Sequence, residues 1–366
     1  MQVDERHGRE KIVERPQSRH RIWRRGAMAM AISAVLLTSV AITPMGCYIS
    51  RAAYEEARIL SRRQSLNTLV ADSATDAATR DKLSLVLAAR AFAVDSLGLK
   101  AGKSFTQYSK LRSDTLVLVL SAAYRDRLER KTWWFPVVGR FPYKGYFDFD
   151  DAKKTATKLR AAGFDVTLGA SSAFSTLGWF NDPLVSSTVA QDSITLANTI
   201  MHELLHNTFF AKGRVPFNES FASFVGGRGA EHFFRSRGDT SSARRAQDDW
   251  HDDLLLGAFW ARLSHEIDSV FAALPPSATA ARIAARDTIY ARAHIRLVDS
   301  VGPVLRRFPK GWAERVVLNN AVLLSRRVYA EGLDTFDSVY VAEGRNLRQS
   351  VLAIIAREQA AERERK

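Results

Sequence analysis

One cysteine, Cys47, stands among 366 residues. A single thiol excludes an intrachain disulfide framework and any structural zinc site built on cysteine. Proline (10) and glycine (20) are sparse and no internal repeat is visible, which argues against collagen-like, solenoid or linker-rich architectures. Acidic residues are in deficit, 39 Asp+Glu against 53 Lys+Arg, for a formal charge of +14. Such an excess can serve nucleic acid or an anionic membrane. No basic motif interleaved with aromatics is present, and the arginines are scattered through alanine-rich stretches (Arg282, Arg286, Arg292, Arg296, Arg306, Arg307). The expected reading is a solvated arginine-rich surface with no nucleic-acid partner.

What is present is an ordinary globular composition, 46% hydrophobic and 25% charged, which excludes a disordered or multi-span membrane chain. The length is enough for roughly two to three domains.

The N-terminus reads as a targeting segment. Residues 1–26 hold eight basic side chains, and residues 26–50 hold no charge. The apolar core runs over 27–42, and Gly46-Cys47 follows it. Basic flank, apolar core and a small residue before a lone cysteine make a secretion signal. Cys47 is then the candidate lipidated residue, as in a bacterial lipoprotein; the alternative is an uncleaved single membrane anchor. Either way the bulk of the chain is expected in the cell envelope, membrane-tethered and facing the periplasm or exterior.

Beyond residue 47 the expected organisation is a core over 48–235 and a helical region over 236–366. Residues 51–98 carry apolar side chains at helical spacing. Residues 115–123 (TLVLVLSAA) are a strand, 133–147 a strand with turns, 150–162 a helix stopped by Gly163, and 165–170 a second strand, a unit resembling β–α–β. The strongest helix spans 192–210: Ile194, Ala197, Met201 and Leu204 form an apolar ridge, and Thr195, Asn198, His202 and His206 a polar one, as beside a cleft. Another helix starts at 217, and from 248 the pattern is helical with Pro and Gly breaks. The fold class is therefore α+β, predominantly helical.

His202-Glu203-Leu204-Leu205-His206 is an HExxH motif. Two histidines four apart lie about 40° apart around a helix, one turn along, so both imidazoles reach one ion. Catalytic zinc takes a third protein ligand and keeps an open position. Glu219, in Asn218-Glu219-Ser220-Phe221-Ala222 at the start of the next helix, supplies it. Neighbouring Leu204, Leu205, Phe209 and Phe210 argue that this region is not solvent-facing, where a metal satisfies otherwise unpaired histidines. The expected roles are one Zn2+ ion on His202, His206 and Glu219, with Glu203 as the base that takes a water proton. Asn218 is a candidate to orient a ligand, or an N-cap. Tyr143, Tyr146 and Tyr329 are candidate oxyanion donors, each with packed core as its plain alternative. His232, about 220° around from Glu219, is not expected to ligate. Gly226, Gly227 and Gly229 imply close packing or a kink in that helix.

With these residues in hand, the chain resembles the bacterial putative aminopeptidase family, zinc peptidases of the gluzincin type. The resemblance runs from about residue 46 to 329. It is carried by Gly46-Cys47-Tyr48, Trp133 with Phe135-Pro136-Val137-Val138-Gly139, Pro142-Tyr143-Lys144-Gly145-Tyr146-Phe147, Phe174-Ser175-Thr176-Leu177-Gly178-Trp179-Phe180 with Asp182-Pro183, the HExxH and Asn218–Ala222 blocks, and Leu318-Asn319-Asn320-Ala321. It implies a zinc ion, a zincin-like core with a small mixed sheet beside the HExxH helix, and an extracytoplasmic lipoprotein. Trp134 and Arg140 stand where the family often has cysteine, Phe174 where tyrosine is common, and Gly226-Gly227 in a region often acidic. Within 171–183, Ser175, Thr176, Gly178 and Asp182 are candidate substrate-cleft residues beside an edge strand; a buried turn is the plain alternative.

The expected activity is peptide-bond hydrolysis by a tethered aminopeptidase. The alternatives are an endopeptidase or amidase with the same site, and a non-catalytic envelope scaffold stabilised by zinc. The peptide is the expected partner; the oligomeric state is not legible.

Overall fold

The computed structural model describes residues 44–111, 117–135, 139–171 and 183–365. The apolar targeting core over 27–42 and the cleft candidates Ser175, Thr176, Gly178 and Asp182 lie outside the described residues. Met1–Glu56 and Ala57–Lys366 form two compact units, and helix α1 (Pro44–Ser61) runs across their boundary.

A short β1 (Gln64–Ser65) and α2 (Leu66–Ala71) precede α3 (Ala77–Asp95). Asp76 starts α3 by accepting the Thr79 N–H, and Leu83, Val86, Ala89 and Ala93 bury one face at helical spacing. Strand β2 (Gln107–Ser109) pairs antiparallel with β1 and parallel with β8 (Leu184–Val185), giving a small mixed sheet. Tyr108 and Leu184 of that sheet share one apolar core with Ile194, Leu196 and Met201, so the mixed sheet does lie beside the HExxH helix.

A second sheet has order β6-β3-β7: β3 (Val117–Ala123) between β6 (Lys144–Tyr146) and β7 (Asp165–Ser171), all antiparallel. Between β3 and β6 lies a hairpin of β4 (Trp133–Phe135) and β5 (Gly139–Phe141), in which Trp134 faces Arg140 directly. Helix α4 (Phe149–Ala161) covers the second sheet, with Ala152 and Ala156 against Leu120, Ala122, Tyr146 and Val166. It starts on Asp148, carries Asp150 and Asp151 in its first turn and Lys158 and Arg160 in its last, and ends before Gly163 at φ 82°. The expected β–α–β unit is present: β6 and β7, the strands on either side of α4 in the chain, both pair antiparallel with β3 between them and so run parallel to each other.

The rest is helical: α5 (Ser186–Val189), α6 (Ser193–Thr208), α7 (Val215–Ser236), α8 (Thr240–Ala273), α9 (Thr279–Arg296), α10 (Trp312–Arg315), α11 (Asn320–Arg326), α12 (Leu333–Ala342) and α13 (Leu347–Glu364). One turn of π-helix follows α9 and a 3₁₀ turn, Arg327–Tyr329, follows α11. The class is α+β and predominantly helical. Helix α8 links two cores: Ala243, Ala246 and Trp250 join α6, α7, α12 and α13, while Phe259, Trp260, Leu263 and Ile267 pack on Tyr290, Ala293 and Leu323.

Two of the arginines expected on the surface are inside. Arg282 is 6% and Arg286 3% exposed. Arg282 donates to the carbonyls of Asp126, Phe271 and Leu274, and Arg286 pairs with Asp165. Their burial is tolerated because every charge meets a partner from another element. Asn320, fully buried, fixes the same corner: its amide donates to Tyr124 O and Arg127 O and accepts from the Tyr290 hydroxyl. It thereby pins the loop that leaves β3 and returns at Arg130 to the start of α11.

Candidate metal centre

Helix α6 presents the two histidines. Asp192 caps it, accepting the Ile194 and Thr195 N–H groups, and Ile194, Ala197, Met201 and Leu204 bury the apolar ridge the spacing dictates. His202 and His206 are left half-buried on the neighbouring ridge, with their Nε2 atoms 3.2 Å apart. Glu219, one turn into α7, points back at them: its oxygens lie 3.5 Å from His202 Nε2 and 3.7 Å from His206 Nε2. All three donor atoms fall within 4.8 Å of one another, the one such group among the described residues. Bonds of about 2.0–2.2 Å in a tetrahedral site put neighbouring donors about 3.3–3.5 Å apart, so this set fits a single zinc-sized ion.

Protonation states agree with ligation. Burial, joined by the nearby His202, holds the His206 imidazole below its ordinary value, hence neutral near pH 7. Burial pushes the Glu219 carboxyl up, but hydrogen bonding from His202 and the charges of both histidines outweigh it and leave the group low, hence ionised. Glu203 is open to solvent at the side-chain level, yet the surrounding protein desolvates its carboxylate. That desolvation pushes its pKa above the ordinary value; His202 opposes the shift and Glu219 adds to it.

Close helix approach sets these distances. A Cβ on Gly226 would stand 2.2 Å from Asn198 Oδ1 and 2.9 Å from Asn198 O, and one on Gly229 would stand 2.3 Å from Met201 Sδ. Glycine at these positions lets α7 lie against the His-bearing helix without a break, so the glycines mark close packing and not a kink.

Three consecutive residues of α7 build the rest. Asn218, 2% exposed, is not an N-cap, since α7 begins at Val215: its side chain accepts Ala211 N and donates to Ala211 O, each at 2.8 Å, fastening the turn between the two helices. Glu219 is the candidate ligand. Ser220 donates to Val328 O at 3.3 Å and accepts Glu331 N at 2.9 Å, clamping both flanks of Tyr329. Tyr329 lies within hydrogen-bonding reach of Glu219, and burial with the Glu219 and Glu203 charges pushes its phenol up to about 12. Ser220 was not singled out in the sequence; its signal was adjacency to the ligand.

The other candidates separate. Tyr146 is 8% exposed and packs with Ala152 and Ala156 of α4 in the second sheet's core, a different core from that of the histidine-bearing helix. Tyr143 is 39% exposed and packs edge-on against Phe141. His232 donates to or accepts from the Tyr340 hydroxyl at 2.7 Å and takes no part in the site. Phe210, expected inside, is 59% exposed just past the end of α6 at Thr208, whereas Leu204 and Leu205 are buried and Phe209 packs edge-on against Phe217 and Phe221.

A family model described as "Putative aminopeptidase" matches residues 47–366. The chain belongs to that family. Membership supports a peptidase-type function, and the match takes in every element that builds the site, from α3 to the 3₁₀ turn carrying Tyr329. No curated protein and no solved structure matches the chain.

Proposed function

We propose that the protein is a zinc-dependent aminopeptidase of the gluzincin type, tethered to the cell envelope at its N-terminus. The observation that carries this is the convergence of His202, His206 and Glu219 at spacings of 3.2, 3.5 and 3.7 Å, with Glu203 on the same helix turn. A zinc ion held by His202, His206 and Glu219 would supply Lewis acidity there, polarising a carbonyl and acidifying water. Glu203 takes a proton from the attacking water and delivers it to the leaving amine nitrogen as the C–N bond breaks. A carboxyl held above its ordinary pKa suits that exchange. Tyr329 keeps its proton to about 12 and is the donor for the developing oxyanion.

The test is metal content of the full chain by elemental analysis, with peptide hydrolysis on free and N-acetylated peptides. The expected outcome is one zinc per chain and cleavage lost on acetylation. Glu203→Gln should keep the metal and lose about 10²–10⁴ in kcat. Cleavage that survives acetylation identifies an endopeptidase or amidase, and no cleavage by the metal-loaded chain leaves a zinc-stabilised scaffold.

A further inference from the structure

Arg130 closes the loop that leaves β3, bridging back to Ala123. The isolated bridge holds the loop at Arg130 and Asn320 holds it at Tyr124 and Arg127, and the Arg130 guanidinium donates to Leu324 O of α11 at 2.5 Å. Helix α11 runs on into the turn that carries Tyr329, so Arg130 and Tyr329 are presented from adjoining backbone.

The charge of Arg130 is unanswered. Among the described residues no carboxylate pairs with it; the groups that act on it are Arg327, Tyr329 and Tyr143. Burial, with Arg327 beside it, holds the guanidinium below its ordinary value. The bland role is a cation on the last carbonyls of α11, but that occupies one donor and leaves the rest of the fork without a partner. A half-buried cation without a counter-charge costs free energy that an incoming anion recovers.

Its position gives it a purpose. Leu324, whose carbonyl takes the Arg130 guanidinium, lies five residues before Tyr329 on the run of α11 into the following turn, and Tyr329 interacts electrostatically with both Arg130 and Glu219. Arg130 therefore flanks the turn that carries Tyr329. An extended peptide advances about 3.3–3.6 Å per residue, so a peptide held at Tyr329 reaches a flanking cation within a few residues. The net charge of +14 also favours anionic ligands at long range.

We propose that Arg130 is a specificity-determining residue that receives a substrate carboxylate, so that short peptides ending near it, or peptides acidic at that position, are the preferred class. This rests on the peptidase reading above. The carboxylate has two sources, the peptide C-terminus or an acidic side chain, and one guanidinium fork serves either.

The experiment uses the full chain and alanine peptides of two to four residues, each as free acid and as C-terminal amide, together with Ala-Ala-Glu-amide and Ala-Ala-Gln-amide. The expected result is an acid-over-amide, or Glu-over-Gln, ratio in kcat/KM of about tenfold or more at one length. It should appear mainly in KM, fall to about one in Arg130→Gln and stay intermediate in Arg130→Lys. Both substrates are read on the same sample, so partial misfolding of a variant cancels in the ratio. Preference in the first pair identifies the C-terminus, and in the second the side chain. Cleavage with a ratio near one at every length in the wild type, or a ratio that Arg130→Gln leaves intact, overturns the inference while the peptidase reading stands. If nothing is cleaved, that reading fails, and calorimetric binding of the same pairs to wild type and Arg130→Gln decides the carboxylate site alone.

Discussion

Asp192 is the residue on which the histidine-bearing helix begins. Its carboxylate accepts Ile194 N, Thr195 N and the Thr195 hydroxyl. Burial pushes its pKa up, but those hydrogen bonds outweigh it and leave the folded value below the ordinary 3.8. A depressed folded pKa means the contribution is complete above 3.8 and is lost as pH falls through the folded value. Asp192→Ala should cost about 0.5–2 kcal/mol at neutral pH. Thermal melts of wild type and variant at pH 7, 5, 4 and 3 should show a constant gap that narrows only in the most acidic samples; a gap that is unchanged at pH 3 removes the ionised cap from the account. The helix over 192–210 and its HExxH residues were legible because their logic is local, an apolar periodicity and a four-residue spacing on one helix. Arg130 was not: its carbonyl partner is 194 residues away, and no period or spacing encodes that. Arg282 and Arg286 were misread for the same reason. Arginine among alanines looks like a solvated face until carbonyls and a carboxylate from other elements are seen to meet it.

At the scale of elements, the site is a packing problem between α6 and α7. Glycine in a helix interior costs roughly 1 kcal/mol against alanine in propensity, yet Gly226 and Gly229 sit where any Cβ would collide. The two collisions differ. Gly226 meets the backbone carbonyl of Asn198 at 2.9 Å, which cannot step aside, whereas Gly229 meets the end of Met201, a flexible thioether. Gly226→Ala should therefore lose about 1–3 kcal/mol of stability and weaken zinc binding, since Asn198 lies one turn from His202. Gly229→Ala should do less on both counts. Gly169→Ala in β7, where nothing lies within 4 Å, is the control. Denaturant midpoints and zinc titrations on the three variants check the order, and equal losses at Gly226 and Gly169 would falsify the packing account. The sequence made the glycines conspicuous and left open whether they kink the helix or admit a neighbour. Which one holds depends on what faces them, and Asn198, Met201 and Trp250 come from two other helices. The sheet shows the same divide. Strand and helix lengths followed from composition, but the antiparallel pairing of β3 with β7 depends on the intervening hairpin, whose reversal of direction no single segment states.

For the whole molecule, the question is where this machinery is held. No helix among the described residues is long and apolar enough to cross a membrane; the proposed tether rests on the uncharged stretch over 27–42 and on Cys47. The two forms of anchor make different demands. A lipid on Cys47 requires the chain to be cut before it, leaving α1 to begin with the modified residue. An uncut span keeps residues 1–46 and needs nothing of the thiol. Fractionation of cells expressing the full chain should place the protein in the membrane pellet, and a chain lacking residues 1–47 should stay soluble. Cys47→Ala then separates the anchors. Under lipidation it yields a longer, uncut species and loses incorporation of labelled fatty acid, whereas a simple span gives the same mass and the same pellet as wild type. Recovery of the full chain in the soluble fraction would remove tethering from the proposal while leaving the three donor atoms, the base on their helix and the unpaired guanidinium flanking the Tyr329 turn as they are.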